Sequence, residues 1–78
     1  MKNYRADYEC VIGGEKYYPD SDYFSSENDE KALEWAKFLA SEGVYYADVG
    51  HVDTELVYVA ECDEEWNEIG LIYYWART

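Results

Sequence analysis

Seventy-eight residues provide one hydrophobic core and no room for a second. Apolar residues make up 49% and aromatics 19%, which excludes a disordered chain despite the charge. Eighteen acids against six bases give a net charge of −12, a sign that disfavours DNA, RNA and anionic membrane as direct partners.

In chain order, Asn3 to Ile12 alternates, with Tyr4, Ala6, Tyr8, Cys10 and Ile12 on one side and Asn3, Arg5, Asp7 and Glu9 on the other. That period of two predicts a half-buried strand. Gly13-Gly14 follows as a hairpin turn, since both positions accept positive φ. Glu15 to Tyr18 then reads as the return strand, ended by Pro19. Asp20 to Ser25 has turn chemistry, with Tyr23 and Phe24 expected as anchors beneath the following helix.

That helix is expected within Ser25 to Gly43. Ala32, Ala36, Leu39 and Ala40 recur at helical spacing, and Leu33, Trp35 and Phe38 are expected to widen the buried stripe. Ser26 or Asn28 is placed to cap its start, and Gly43 to take the positive-φ position at its end. Asp29 and Glu30 suit the positive end of the helix dipole.

Val44 to Val52 is β-rich, with Tyr45, Ala47 and Val49 expected to face the helix and Asp48 to face outward. After a turn at Asp53-Thr54, Leu56, Tyr58, Ala60 and Cys62 alternate with Glu55, Val57, Val59 and Glu61. Asp63 to Glu68 is an acidic turn holding Trp66. Ile69 to Ala76 is a last strand, apolar or aromatic except at Gly70, and is expected inside the sheet. The order β-β-α-β-β-β predicts an α+β domain: an antiparallel sheet with a single helix packed on one face and the other face uncovered.

Motifs that would carry chemistry fail on inspection. Asp20-x-Asp22 opens like a calcium loop, but Phe24 takes the third ligand position and Lys31 stands where the closing Glu belongs. His51 is the only histidine, flanked by Asp48 and Asp53 without a nearby Ser or Cys. Cys10 and Cys62 lack metal spacing and are expected as reduced, half-buried thiols in a cytoplasmic protein. The N-terminal residues lack an apolar targeting run, and no stretch approaches a membrane span. No catalytic residue, cofactor or metal site is assigned.

Two features remain. Ten tyrosines include the pairs Tyr17-Tyr18, Tyr45-Tyr46 and Tyr73-Tyr74; in a strand each pair sends one ring to either face. Tyr18, Tyr46 and Tyr74, with Trp66 or Trp75, are therefore expected on the uncovered face. The charge is also lopsided: residues 1–39 carry nine acids and five bases, whereas residues 40–78 carry nine acids and only Arg77. Carboxylates beside tyrosines suit Arg- and Lys-rich partners through ion pairs and cation–π contacts. The expected partner-binding set is Tyr46, Asp48, Asp53, Glu55, Glu61, Asp63, Glu64, Glu65, Trp66, Glu68 and Tyr74.

Short length, strong acidity with base-free stretches, a compact α+β plan and the lack of a catalytic motif together resemble, at the level of class, the small acidic inhibitors of phages and mobile elements. These are the anti-CRISPR proteins and the anti-restriction DNA mimics. The resemblance implies a non-enzymatic inhibitor that occupies the basic groove of a nucleic-acid-binding protein or CRISPR effector subunit in the host cytoplasm. The alternative is a small regulatory or structural module, such as an antitoxin, that homodimerises through its uncovered face. Halophilic adaptation also yields acidic, lysine-poor chains.

Overall fold

A computed structural model describes residues 1–75. The chain is α+β, an antiparallel sheet with one helix. Its elements are β1 (Lys2–Ile12), β2 (Glu15–Tyr17), β3 (Asp22–Ser26), α1 (Asp29–Glu42), β4 (Val44–Tyr46), β5 (Gly50–Val52), β6 (Glu55–Cys62) and β7 (Glu68–Tyr74). The long strand β1 lies at the centre of the main sheet. On one side it pairs with β6, which pairs in turn with β7. Its other side is shared: β3 takes Lys2 to Ala6 and β2 takes Cys10 to Ile12.

Opposed residues in an antiparallel pair share a face, so register assigns the two faces. Tyr4, Ala6 and Tyr8 lie with Phe24, Leu56, Val59 and Tyr73 beneath α1. Asn3, Arg5 and Asp7 lie with Tyr23, Tyr58, Ala60, Cys62, Leu71 and Tyr74 on the open face.

The helix meets the sheet through Ala32, Ala36 and Ala40, all buried. With side chains this small the helix sits close, and the tyrosines of β1 fill the layer between. Their phenols stay satisfied: Tyr4 Oη donates to Asp29 Oδ1 at 2.8 Å and Tyr8 Oη to Asp22 Oδ2 at 2.8 Å. Asn28 is the N-cap, its Oδ1 accepting from Lys31 N at 2.9 Å. At the other end Thr54 Oγ1 donates to Ala40 O at 2.6 Å, and His51 Nε2 lies 2.9 Å from Glu42 O. Gly43 has φ 72°, and a Cβ there would stand 2.6 Å from the His51 ring and the Val52 carbonyl. His51 thus closes the helix end, with Asp53 3.8 Å from its Nδ1.

Five expectations are corrected. Trp35 and Phe38 do not widen the buried stripe; they are half exposed and stack on each other at 5.3 Å. The reason is the helical rotation of about 100° per residue, which puts Leu33 and Leu39 roughly 60° either side of Ala36 and the two aromatics behind it. Asp20 to Ser25 is not all turn, because β3 occupies Asp22–Ser26. Phe24 packs under the helix as expected, stacked 5.9 Å from Tyr4, but alternation sends Tyr23 to the open face. Val44 to Val52 is broken at residues 47–49 into the separate β4–β5 ribbon, so Tyr45, Ala47 and Val49 are exposed and do not face the helix.

Strand β7 lies at the sheet edge and not inside it. Its unbroken apolarity has two sources, Ile72 and Tyr73 packing on the core and Ile69, Leu71 and Tyr74 standing outward. Register shifts against β6 leave Ile69 and Ile72 unopposed, bulges that add twist and blunt the edge. Ala76, expected in that strand, lies outside the described residues. Finally, Cys10 and Cys62 are both buried and free, but Cys62 opposes Asn3 while Cys10 lies seven positions further along β1. At about 3.3 Å per residue they are some 20 Å apart and do not form a pair.

Candidate functional site

The β6–β7 hairpin carries most of the expected partner-binding residues, and its turn is built by one of them. Asp63 Oδ1 accepts from both Glu65 N and Asn67 N at 2.9 Å. The backbone adds Asp63 N to Asn67 O at 2.8 Å and Trp66 N to Asp63 O at 3.0 Å. An Asp that satisfies the amides two and four residues ahead is a turn former. Those backbone donors, Asn67 first, hold its carboxyl below the usual aspartate range. Asp63 is thus committed to the loop, whereas Glu64 and Glu65 project freely into solvent.

Trp66 sits in this turn with φ 67°, the one positive φ at a non-glycine among the described residues. From there the indole reaches back over the open face to Tyr23, ring centroids 5.6 Å apart and nearly perpendicular at 85°. Both rings remain substantially exposed. Arg5 is the register partner of Tyr23 across the β1–β3 pair, its guanidinium carbon 5.9 Å from the ring centroid. Its Nε binds Asp7 Oδ1 at 3.1 Å and its Nη1 lies 3.6 Å from Glu68 Oε1. The other Glu68 oxygen accepts from Tyr58 Oη at 2.7 Å, a bond that raises the Tyr58 phenol above its ordinary range. Ser21 Oγ also donates to Asp7. The open face therefore has a wired centre, Asp7–Arg5–Glu68–Tyr58, with an aromatic pair at one end. Along its margin Ile69, Leu71 and Tyr74 are 60, 61 and 66% exposed.

Of the expected set, the structure brings Glu64, Glu65, Trp66 and Glu68 together at the hairpin turn, with Asp63 as its scaffold, whereas Tyr74 stands opposite Tyr58 at the other end of β7. Glu61 opposes Tyr4 and so turns to the helix side, 3.7 Å from Lys2 Nζ. Asp53 and Glu55 lie at the far end of β6. Tyr46 and Asp48 belong to the separate ribbon, where Tyr46 is partly buried; burial and the neighbouring Cys10 thiol raise its phenol. The set thus separates into a hairpin cluster and distant members, because the ribbon leaves the main sheet.

Sequence reasoning placed neither Arg5 nor Tyr23 in the site. The strict alternation of β1 put Arg5 on the open face, but only the return of β3 alongside β1 sets Tyr23 beside it. Among the described residues no three His, Cys, Asp or Glu side chains converge as a metal site, and none of the described helices is long and apolar enough to cross a membrane. No family model, curated protein or solved structure matches the chain. What the hairpin offers chemically is a hydrogen-bonded turn that carries exposed carboxylates in the same short segment as an exposed indole, suited to binding guanidinium and ammonium groups.

Proposed function

We propose that this chain is a non-enzymatic, acidic binding protein that inhibits a nucleic-acid-binding effector, in the manner of anti-CRISPR and anti-restriction inhibitors, by occupying its basic groove. The observation that carries this reading is the β6–β7 hairpin, whose turn holds Glu64, Glu65 and Glu68 in one short segment with Trp66, in a stretch without Lys or Arg from residue 38 to residue 76. Because the turn is internally hydrogen-bonded, its carboxylates are presented without a large ordering cost. The summed negative field would steer a basic groove toward this face.

The reading is tested by competition. Purified basic effectors, a CRISPR effector among them, are loaded with labelled nucleic acid and titrated with the chain at low and high salt. Displacement at low salt, weakening as salt rises, is expected for at least one effector. If none releases nucleic acid at low salt, the reading fails. The double variant Glu64→Lys with Glu65→Lys should displace roughly tenfold less well, since it reverses the local field while leaving the turn-forming Asp63 intact. The same change at Glu27 and Glu30, which alters net charge equally at the helix start, should matter less.

One observation favours a second reading, a homodimerising regulatory module of the antitoxin kind: the exposed apolar margin of β7 at Ile69, Leu71 and Tyr74. Sedimentation equilibrium separates the two. A dimer at micromolar concentration that dissociates on Leu71→Lys supports the module, and a monomer supports the inhibitor.

A further inference from the structure

A tryptophan in the left-handed region is strained, since Gly or Asn takes that conformation far more readily. Trp66, at φ 67°, accepts that strain in a turn whose other bonds are made by Asp63 and the backbone. Its indole does not go into the core; it lies partly exposed against Tyr23. Strain held at a surface aromatic is the pattern of a recognition residue, where the fold gives up some stability to present a side chain. Tryptophan is also the residue type that most often anchors interfaces.

The chemistry of its surroundings says what it would meet. Tyr23 already carries one guanidinium, that of Arg5, which is held by Asp7 and Glu68. Trp66 directly follows the exposed Glu64 and Glu65 in the chain, and the same hairpin contains no Lys or Arg. A second guanidinium, stacked on the indole and paired with those carboxylates, would repeat the arrangement built around Arg5. A second copy of this chain is disfavoured as occupant by its charge of −12.

We infer that Trp66, backed by Tyr23, is the anchor that receives an arginine side chain of a basic partner protein. This rests on the reading above and deepens it, because it selects arginine over lysine. A planar guanidinium stacks on an indole and binds carboxylates through two parallel bonds, whereas an ammonium acts as a point charge.

The test uses the full chain with two synthetic probes, nona-arginine and nona-lysine, titrated by calorimetry at low salt. The native chain is expected to bind nona-arginine about fivefold to tenfold more tightly than nona-lysine, the share of affinity that stacking adds to equal charge. In Trp66→Asn that preference should vanish while affinity for nona-lysine stays. The melting temperature of the variant should hold or rise, since asparagine accepts the left-handed backbone. A preference that survives Trp66→Asn, or a melting temperature that falls by several degrees, overturns the anchor while leaving the acidic inhibitor standing. If the native chain binds neither probe, the anchor and the reading beneath it both fail.

Discussion

The two faces of the main sheet handle their polar groups in opposite ways. Beneath the helix, Tyr4 and Tyr8 are buried and spend their hydroxyls on Asp29 and Asp22, carboxylates at the rim of the core. These bonds tie β1 to the helix start and to β3, so the covered face is a scaffold. On the open face, Tyr58, Arg5, Asp7 and Glu68 bond among themselves in reach of water, while Trp66, Leu71 and Tyr74 keep much of their area exposed. The same residue type, tyrosine, is thus structural on one side and available on the other. Position relative to the helix, and not composition, separates the roles.

Substitutions should sort by face. The largest effect is expected for Tyr4→Ala, which empties a fully buried ring site and should cost about 3–5 kcal/mol in urea unfolding. Tyr74→Ala on the open face should stay within about 0.5 kcal/mol by the same measurement. Equal losses at the two sites would erase the distinction.

Alkali should act through the covered face next. Burial, then the bonds to Asp29 and Asp22, hold the Tyr4 and Tyr8 phenols neutral well above the ordinary tyrosine range. Below about pH 10 both folded and unfolded chains are protonated there, and this contribution is fully present. As the pH rises past that point the unfolded chain ionises first, so stability is lost progressively toward the raised folded values. Urea midpoints measured from pH 8 to pH 12 should fall, and Tyr8→Phe should flatten the decline.

A smaller effect tests the turn. Asp63→Ala removes the acceptor of two backbone amides and should lower the urea midpoint modestly, whereas Asp63→Asn, which keeps an acceptor, should lower it less. Because the folded chain holds the Asp63 carboxyl below the usual range, its contribution is complete above about pH 4 and is lost as the pH falls further. Midpoints measured from pH 6 to pH 2 should show a component that Asp63→Asn lacks.

The smallest stability effect sharpens the comparison most. Glu64→Gln with Glu65→Gln should leave the melting temperature almost unchanged, because exposed charges contribute little to folding. Association with a basic partner should nevertheless slow, visible in stopped-flow rates at low salt. A large fall in stability would move the turn from the proposed recognition surface to the scaffold.

Local patterns in the sequence were enough for the fold class. The alternation of β1, the Gly13-Gly14 turn, the alanine repeat of the helix with its Asn28 and Gly43 ends, and the acidic turn at Asp63 are all nearest-neighbour signals. Each is read from residues within a few positions of one another, as secondary structure itself is made. The carboxylates around Trp66 were legible for the same reason, since one hairpin holds them.

Tertiary pairing decided the rest. Whether Trp35 faces the core depends on the helix rotation that the three alanines impose when they close on Tyr4, Ala6 and Tyr8. Whether β7 is internal or at the edge depends on which strands β1 and β6 leave unpaired, and apolarity at every position is compatible with either. Tyr46 and Asp48 leave the site because residues 47–49 turn β4 back on β5 instead of extending it into the main sheet. Tyr23 enters the site because β3 folds back along β1, setting it beside Arg5, 18 positions earlier in the chain, and against Trp66 from the far hairpin. Contacts of that span depend on how the strands are ordered in space, and strand order is set by the packing of the whole chain, not by any window of it.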